Sequence, residues 1–224
     1  MLFFMVVTGI DGCRSGWVAV ILSAGAVSLR TATTLDGLDI QGVTGIDMPL
    51  GLLADGWRTA DALARRALGA RGASVFAIPP RPVWLAPDYA TANGRCRELT
   101  GRGLSAQAWG LRTRLLEADE FRRGCARSLR EVHPELSFAA LAGAPLTDSK
   151  HSPAGLASRR ALLEGAGIVL PRRVAGAAEH DLLDAAAVAW SARRVAAGTA
   201  RVLPDPSAAR TQLSDDGFEI TISY

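Results

Sequence analysis

Four aspartates have the type and spacing to hold a hard divalent cation. Asp11 ends the apolar run Val6-Val7-Thr8-Gly9-Ile10, and Asp47 ends the run Val43-Thr44-Gly45-Ile46. Asp181 and Asp184 open the alanine-rich stretch His180-Asp181-Leu182-Leu183-Asp184-Ala185-Ala186-Ala187. Mg²⁺ or Mn²⁺ takes carboxylate oxygens, and water and substrate phosphate fill the remaining positions. Open α/β sheets place ligands beyond the carboxyl ends of their strands, where Asp11 and Asp47 fall. Asp181 and Asp184 are three residues apart and share a helix face. Asp11, Asp47 and Asp184 are therefore the expected metal ligands, with Asp181 as a further acid. Each has a plainer use. Asp11 and Asp47 suit turns, and Asp181 suits the first turn of a helix, where a carboxylate complements the dipole. Asp184 precedes residues small enough to pack against a sheet, so a carboxylate there is costly unless paired or metal-bound.

A second group could assist. Glu131 and His133, in Glu131-Val132-His133-Pro134-Glu135, alternate and would share one face of a strand. Glu131 would complete a metal shell, and His133 would act as a general base or orient a carboxylate. The plainer reading of His133 is a hydrogen-bonded structural residue, and Glu135 reads as a first-turn helix acid. Lys150, in a loop, could meet a phosphate or simply be solvated. Arg71, Ser74 and Arg81 surround a segment able to bind an anion. Arg112, Arg114, Arg122 and Arg123 read as solvated helix surface. Cys13 has no histidine near in sequence and reads as a small turn residue.

These residues need elements to position them. Residues 5–11, 17–22 and 27–32 read as three strands joined by tight turns, hence antiparallel neighbours. A short helix or turn near 34–39 leads to a fourth strand at 43–48. Helices are expected over 58–68, 87–99, 105–122, 135–142, 153–165 and 180–197. Residues 71–82 should be largely loop, 128–133 a fifth strand, and 218–222 a late one. Three antiparallel strands, a crossover and parallel strands define an α/β, RNase H-like mixed sheet flanked by helices. The whole chain, 1–224, reads as one domain with a helical insertion at about 52–127.

Composition narrows the class. The chain has 224 residues, 49% of them hydrophobic, enough for a sizeable core. Its net charge is +3 and its pI about 9.1, which permits a nucleic-acid partner. Lys150 is the only lysine, so arginine carries nearly all the positive charge. The three cysteines form no CxxC and fit a reducing cytoplasm. The apolar start, Met1 to Val7, lacks a basic flank and is too short to span a bilayer, so it reads as the lead-in to the first strand and no membrane association is expected. Oligomeric state is not legible.

The ordered segments Gly9-Ile10-Asp11-Gly12-Cys13-Arg14-Ser15-Gly16-Trp17, Ile46-Asp47-Met48-Pro49-Leu50-Gly51, Arg71-Gly72-Ala73-Ser74-Val75-Phe76, Gly103-Leu104-Ser105-Ala106-Gln107, Glu131-Val132-His133-Pro134-Glu135, Ser149-Lys150 and Asp181-Leu182-Leu183-Asp184-Ala185 resemble the domain-of-unknown-function family 429. Ser15 stands where glycine is more typical. The resemblance implies an RNase H-like fold and, by analogy, a nuclease. The late Asp-x-x-Asp helix is also similar to that of Holliday-junction resolvases. On this reading Asp11 would bridge two Mg²⁺ or Mn²⁺ ions, Asp47 and Asp184 would each hold one, and Asp181 or Glu131 would complete a shell. Alternatives are a phosphotransferase of the actin and sugar-kinase type, for which a second lobe and glycine-rich loop are missing, and a non-catalytic binding protein.

Overall fold

A computed structural model describes residues 5–125, 129–208 and 210–224, without the side chain of Cys125. The expected lead-in at 1–4, the start of the fifth strand at Ser128 and the end of the insertion at 126–127 lie outside the described residues.

Three strands, β1 (Val7–Cys13), β2 (Gly16–Ser23) and β3 (Ala26–Ala32), form two hairpins. The second turns through Ala24 and Gly25, both at positive φ, the backbone that matches the twist of a two-residue hairpin. A short 3₁₀ turn at Asp36–Leu38 leads to β4 (Val43–Ile46). Helices α1 (Thr59–Leu68), α2 (Arg81–Trp84), α3 (Tyr89–Thr100), α4 (Ala106–Trp109) and α5 (Arg112–Cys125) follow. Then come β5 (Leu129–Glu131), α6 (Pro134–Ala142), α7 (Pro153–Gly165), α8 (Glu179–Ala196), β6 (Val202–Leu203) and β7 (Ile222–Ser223).

The five-stranded sheet has the order β3-β2-β1-β4-β5. The first three strands are antiparallel, and β4 runs parallel to both β1 and β5. This arrangement is consistent with an RNase H-like fold. Alternation along the strands gives the sheet two apolar faces. Ile10, Trp17, Ala19 and Ile46 pack toward the helices inserted between β4 and β5. Val7, Val18, Val20 and Leu22 pack with Leu163 of α7 and the alanines of α8.

Some local expectations shift. The helix expected over 105–122 is broken at Gly110, a poor helix former, and the break sets Trp109 against Trp84 with ring centroids 6.5 Å apart. The expected loop at 71–82 contains a 3₁₀ turn at Gly69–Ser74 and the start of α2, where a proline fits the first helical turn. The late strand shrinks to Ile222–Ser223, preceded by an isolated bridge between Leu213 and Glu219. α7 matches its expected bounds, set by Ser152, whose hydroxyl accepts from the Gly155 N–H at 3.1 Å, and by Pro153 in the first turn.

Candidate metal centre

Asp11 and Asp47 are brought together by strand register. Ile10 pairs with Ile46 on the parallel β1–β4 ladder, and the Asp47 N–H extends it by donating to the Ile10 carbonyl at 2.9 Å. The next residue on each strand is an aspartate, so the two acids stand side by side at adjacent carboxyl ends. Parity sends both toward α8, with Gly9 and Gly45 two residues behind them on the same face.

Those glycines set the position of α8. A Cβ at Gly9 would collide with the backbone of Ala185 and Ala189, and one at Gly45 would stand 2.7 Å from a Val188 methyl. The helix therefore lies directly on a furrow of two paired glycines. Its run of alanines permits the same approach from the other side. Asp184 and Asp181 then fall beside the strand ends.

The outcome is a cluster in which one carboxylate oxygen each from Asp11, Asp47 and Asp184 lies within 4.8 Å of the others. Oxygens on opposite sides of one Mg²⁺ are about 4 Å apart, and of one Ca²⁺ about 5 Å, so the trio spans a single ion's width. Asp11 and Asp184 are almost wholly buried, and Asp47 is partly so. Asp11 accepts the Gly12 N–H at 2.7 Å. Asp184 Oδ2 accepts from Lys150 Nζ at 2.6 Å, whereas its Oδ1 is buried without a partner. A buried carboxylate oxygen with no donor is an atom that a cation would satisfy.

Electrostatics agree with the geometry. Burial first, then Asp47 and Asp184, raise the Asp11 carboxyl well above its ordinary range. Burial and then Asp184 push Asp47 up to about 7. Asp184 is raised by burial despite Lys150. Lys150 is raised in turn: burial opposes its charge, and Asp184, Asp11 and Asp47 outweigh burial. The site is short of positive charge.

The acids lie in a cavity of about 510 Å³ that Arg71, Ser74, His133, Lys150 and Asp181 also line. Asp181 Oδ2 accepts the Ala178 N–H at 3.1 Å, capping α8, and its Oδ1 lies 3.1 Å from His180 Nε2. Arg71 Nη2 donates to Glu135 at 3.1 Å, and the Ser74 hydroxyl donates to the Arg71 carbonyl at 2.8 Å. Glu135 is held more tightly by the fully buried Arg159, at 2.6 Å.

Glu131 also lines the cavity but does not join the trio. It pairs with Ile46, so it points to the opposite face from Asp47, one residue out of phase. There Arg58 Nη2 donates to both of its oxygens, at 2.7 and 2.6 Å, and the Leu50 N–H donates at 2.7 Å. Its carboxylate thus fixes the loop just beyond Asp47. Burial raises its pKa to about 7 even against Arg58. His133 does not continue the strand with Glu131: it caps α6. Its Nε2 lies 3.4 Å from the Ser74 carbonyl, and its Nδ1 is buried with no partner. Burial lowers its pKa, against the Ser74 carbonyl and Glu135, which raise it.

Arg81 is not among the cavity's lining residues. Its guanidinium pairs with Asp119 at 2.6 Å and with Asp215. Cys13 is buried, its Sγ 3.4 Å from the Ser15 hydroxyl, as suits a turn residue. The structure adds residues that sequence alone did not single out. Arg58 and Arg159 are arginines with almost no exposure, and no local pattern separates them from surface arginines. Arg114, expected as solvated surface, lines the cavity.

A mixed α/β sheet with strand-end acids facing a helical acid defines the class. Residues 9–209 match the family described as "Protein of unknown function (DUF429)", and the chain belongs to that family. No curated protein and no solved structure matches it.

Proposed function

We propose that this cavity is the active site of a metal-dependent nuclease or phosphodiesterase, in which Asp11, Asp47 and Asp184 hold Mg²⁺ or Mn²⁺. The observation that carries the reading is the convergence of three carboxylates from three separate elements, one of them with a buried, unpartnered oxygen. Bound there, one or two ions would supply an activated water and stabilise the departing oxygen of a phosphodiester.

The protein's own groups do the rest. Asp11, Asp47 and Asp184 would be the metal ligands, with Asp11 the one shared if two ions bind. Asp184 offers Oδ1 while Oδ2 keeps Lys150 aligned. Lys150 and Arg71 provide charge for phosphate oxygens, and Ser74 fixes the Arg71 backbone. His133, with its Nδ1 unpartnered, would serve as the general base. Asp181 stays at the rim as helix cap and adds negative charge. Glu131 acts from beneath by holding the Leu50 loop. The basic chain favours nucleic acid as the phosphodiester.

The 2.6 Å Lys150–Asp184 contact favours a second reading, a binding protein without turnover, because it neutralises one acid without a metal. The phosphotransferase reading gains nothing, since the described residues contain no second mixed sheet.

The test is a cleavage panel of single-stranded DNA, structured DNA, RNA and small phosphodiesters with Mn²⁺, run beside EDTA and Asp11→Asn controls. Wild type should cleave at least one substrate and both controls none. Cleavage no greater than that of Asp11→Asn across the panel would leave the binding-protein reading in place.

A further inference from the structure

Three cations line the cavity, and two are already committed to carboxylates: Arg71 to Glu135 and Lys150 to Asp184. The third is Arg114 of α5, which makes no ion pair among the described residues. Its Nη2 donates to the Cys13 carbonyl, a neutral acceptor that seats the side chain without cancelling its charge. The guanidinium lies over the turn that follows Asp11. A Cβ at Gly12 would stand 3.2 Å from its Cδ and 3.3 Å from Nε and Nη1. Glycine at 12 thus lets the arginine approach the turn closely, and a methyl there would require its side chain to give by a few tenths of an ångström. Among the described residues no further hydrogen bond uses its remaining N–H groups.

A guanidinium fixed at one donor, with others open toward a cavity, fits two oxygens of a phosphate, which a single ammonium cannot grip in the same way. We infer that Arg114 is a substrate-binding residue that takes a phosphate group of the substrate beside the acid trio. The identity of the anion rests on the phosphodiesterase reading. The insertion, which also supplies Arg71 and Ser74, thereby contributes a further contact to a site whose acid trio comes from the sheet and α8. A free small phosphoester and a nucleic-acid backbone offer Arg114 the same chemistry.

The experiment measures binding in Ca²⁺, which takes the same oxygen ligands. The probes are inorganic phosphate, thymidylyl-thymidine and a labelled single-stranded DNA of roughly 12 nucleotides, within the range that single-strand grooves accept. Arg114→Gln should weaken at least one probe about tenfold or more, and Arg114→Lys should recover only part of it. Arg114→Met, which keeps an unbranched apolar stem but no donor, should reproduce the loss if Arg114→Gln folds poorly. For the oligonucleotide, the slope of log affinity against log salt should become shallower by about 0.7, one phosphate contact, in Arg114→Gln. A merely structural arginine would not move that slope. The Mn²⁺-induced rise in Tm should be unchanged. Binding of all three probes points to a small phosphoester, and binding of the oligonucleotide alone points to nucleic acid. If Arg114→Gln binds every probe within about twofold of wild type, or wild type binds none, the inference is overturned. Failure of the nuclease reading looks different: no Mn²⁺-dependent cleavage, with Arg114-dependent phosphate binding intact.

Discussion

Asp119 and Asp184 are both helical aspartates with almost no exposure, 3% and 1%. Asp119 sits among Arg81, Arg122 and Arg123, and the network extends to Asp215 and Asp216 in the C-terminal segment. Burial alone would raise Asp119, but hydrogen bonds from Arg81 and Arg122 outweigh it and hold the carboxyl below its ordinary range. Asp216, likewise opposed by burial, is drawn down to about 2 by Ser214 and Arg122. At the sheet edge, three acids share one lysine, and Asp47 moves the other way, to about 7. A buried acid surrounded by arginines is already satisfied and joins elements together. A buried acid surrounded by acids still lacks a cation.

Exchanging one acid in each region should separate the two roles. Asp184→Asn should lower Mn²⁺-dependent turnover by on the order of 10²–10³-fold or more, because it removes charge aimed at the reacting groups. Its effect on stability in EDTA should stay within about 1 kcal/mol, since the lost partner is a third-exposed lysine and a like-charge repulsion disappears with it. Asp119→Asn should do the reverse: a loss of about 3–5 kcal/mol, from arginines left without their acid, with turnover per folded molecule retained. Urea denaturation beside single-turnover assays measures both. Equal stability losses in the two variants would erase the distinction.

Gly9→Ala tests whether the acid cluster depends on the seat of α8. The added methyl must push the helix away from β1, costing about 1–3 kcal/mol. The Tm rise in Mn²⁺ should shrink as well, because Asp184 moves with the helix. A stable Gly9→Ala protein with a full metal response would show that the furrow does not set the site.

The last contrast is in pH dependence, and its sign differs between the regions. Asp47 binds its proton more tightly folded than unfolded, so its contribution to metal-free stability is present below about pH 4 and is lost as pH rises through about 7. Asp216 contributes above about pH 4 and loses that contribution as pH falls toward about 2. In EDTA, the Tm of wild type should decline from pH 5 to 8 more steeply than that of Asp47→Asn, on the order of the shift in that one group. Mn²⁺ should flatten the decline. Identical pH profiles for the two proteins would contradict the shared-charge picture.

Much of this was legible in the sequence because strand ends and helical spacing are local. Asp11 and Asp47 each close an apolar run, and their pairing follows once β1 and β4 are parallel neighbours. Asp184 is marked by the small residues after it. Glu131 shows where local reading stops. It looks equivalent to the other strand-end acids, but a register one residue out of phase turns it to the other face, and no pattern near it names Arg58 as partner. Arg81 reads as a residue beside an anion-binding segment and Arg114 as solvated surface, yet Arg81 is bound to Asp119 and Asp215 and Arg114 lines the cavity. Only tertiary contacts distinguish them. The split of the expected 105–122 helix at Gly110 likewise follows from a local glycine and a distant tryptophan stack.

The most direct measurement is anomalous scattering from crystals grown with Mn²⁺. The expected result is a peak bounded by Asp11, Asp47 and Asp184, with carboxylate oxygens about 2.0–2.3 Å from it and Asp184 Oδ1 among them. Peaks confined to the protein surface, with the three carboxylates and Lys150 Nζ remaining in their present arrangement, would contradict a metal centre at this site.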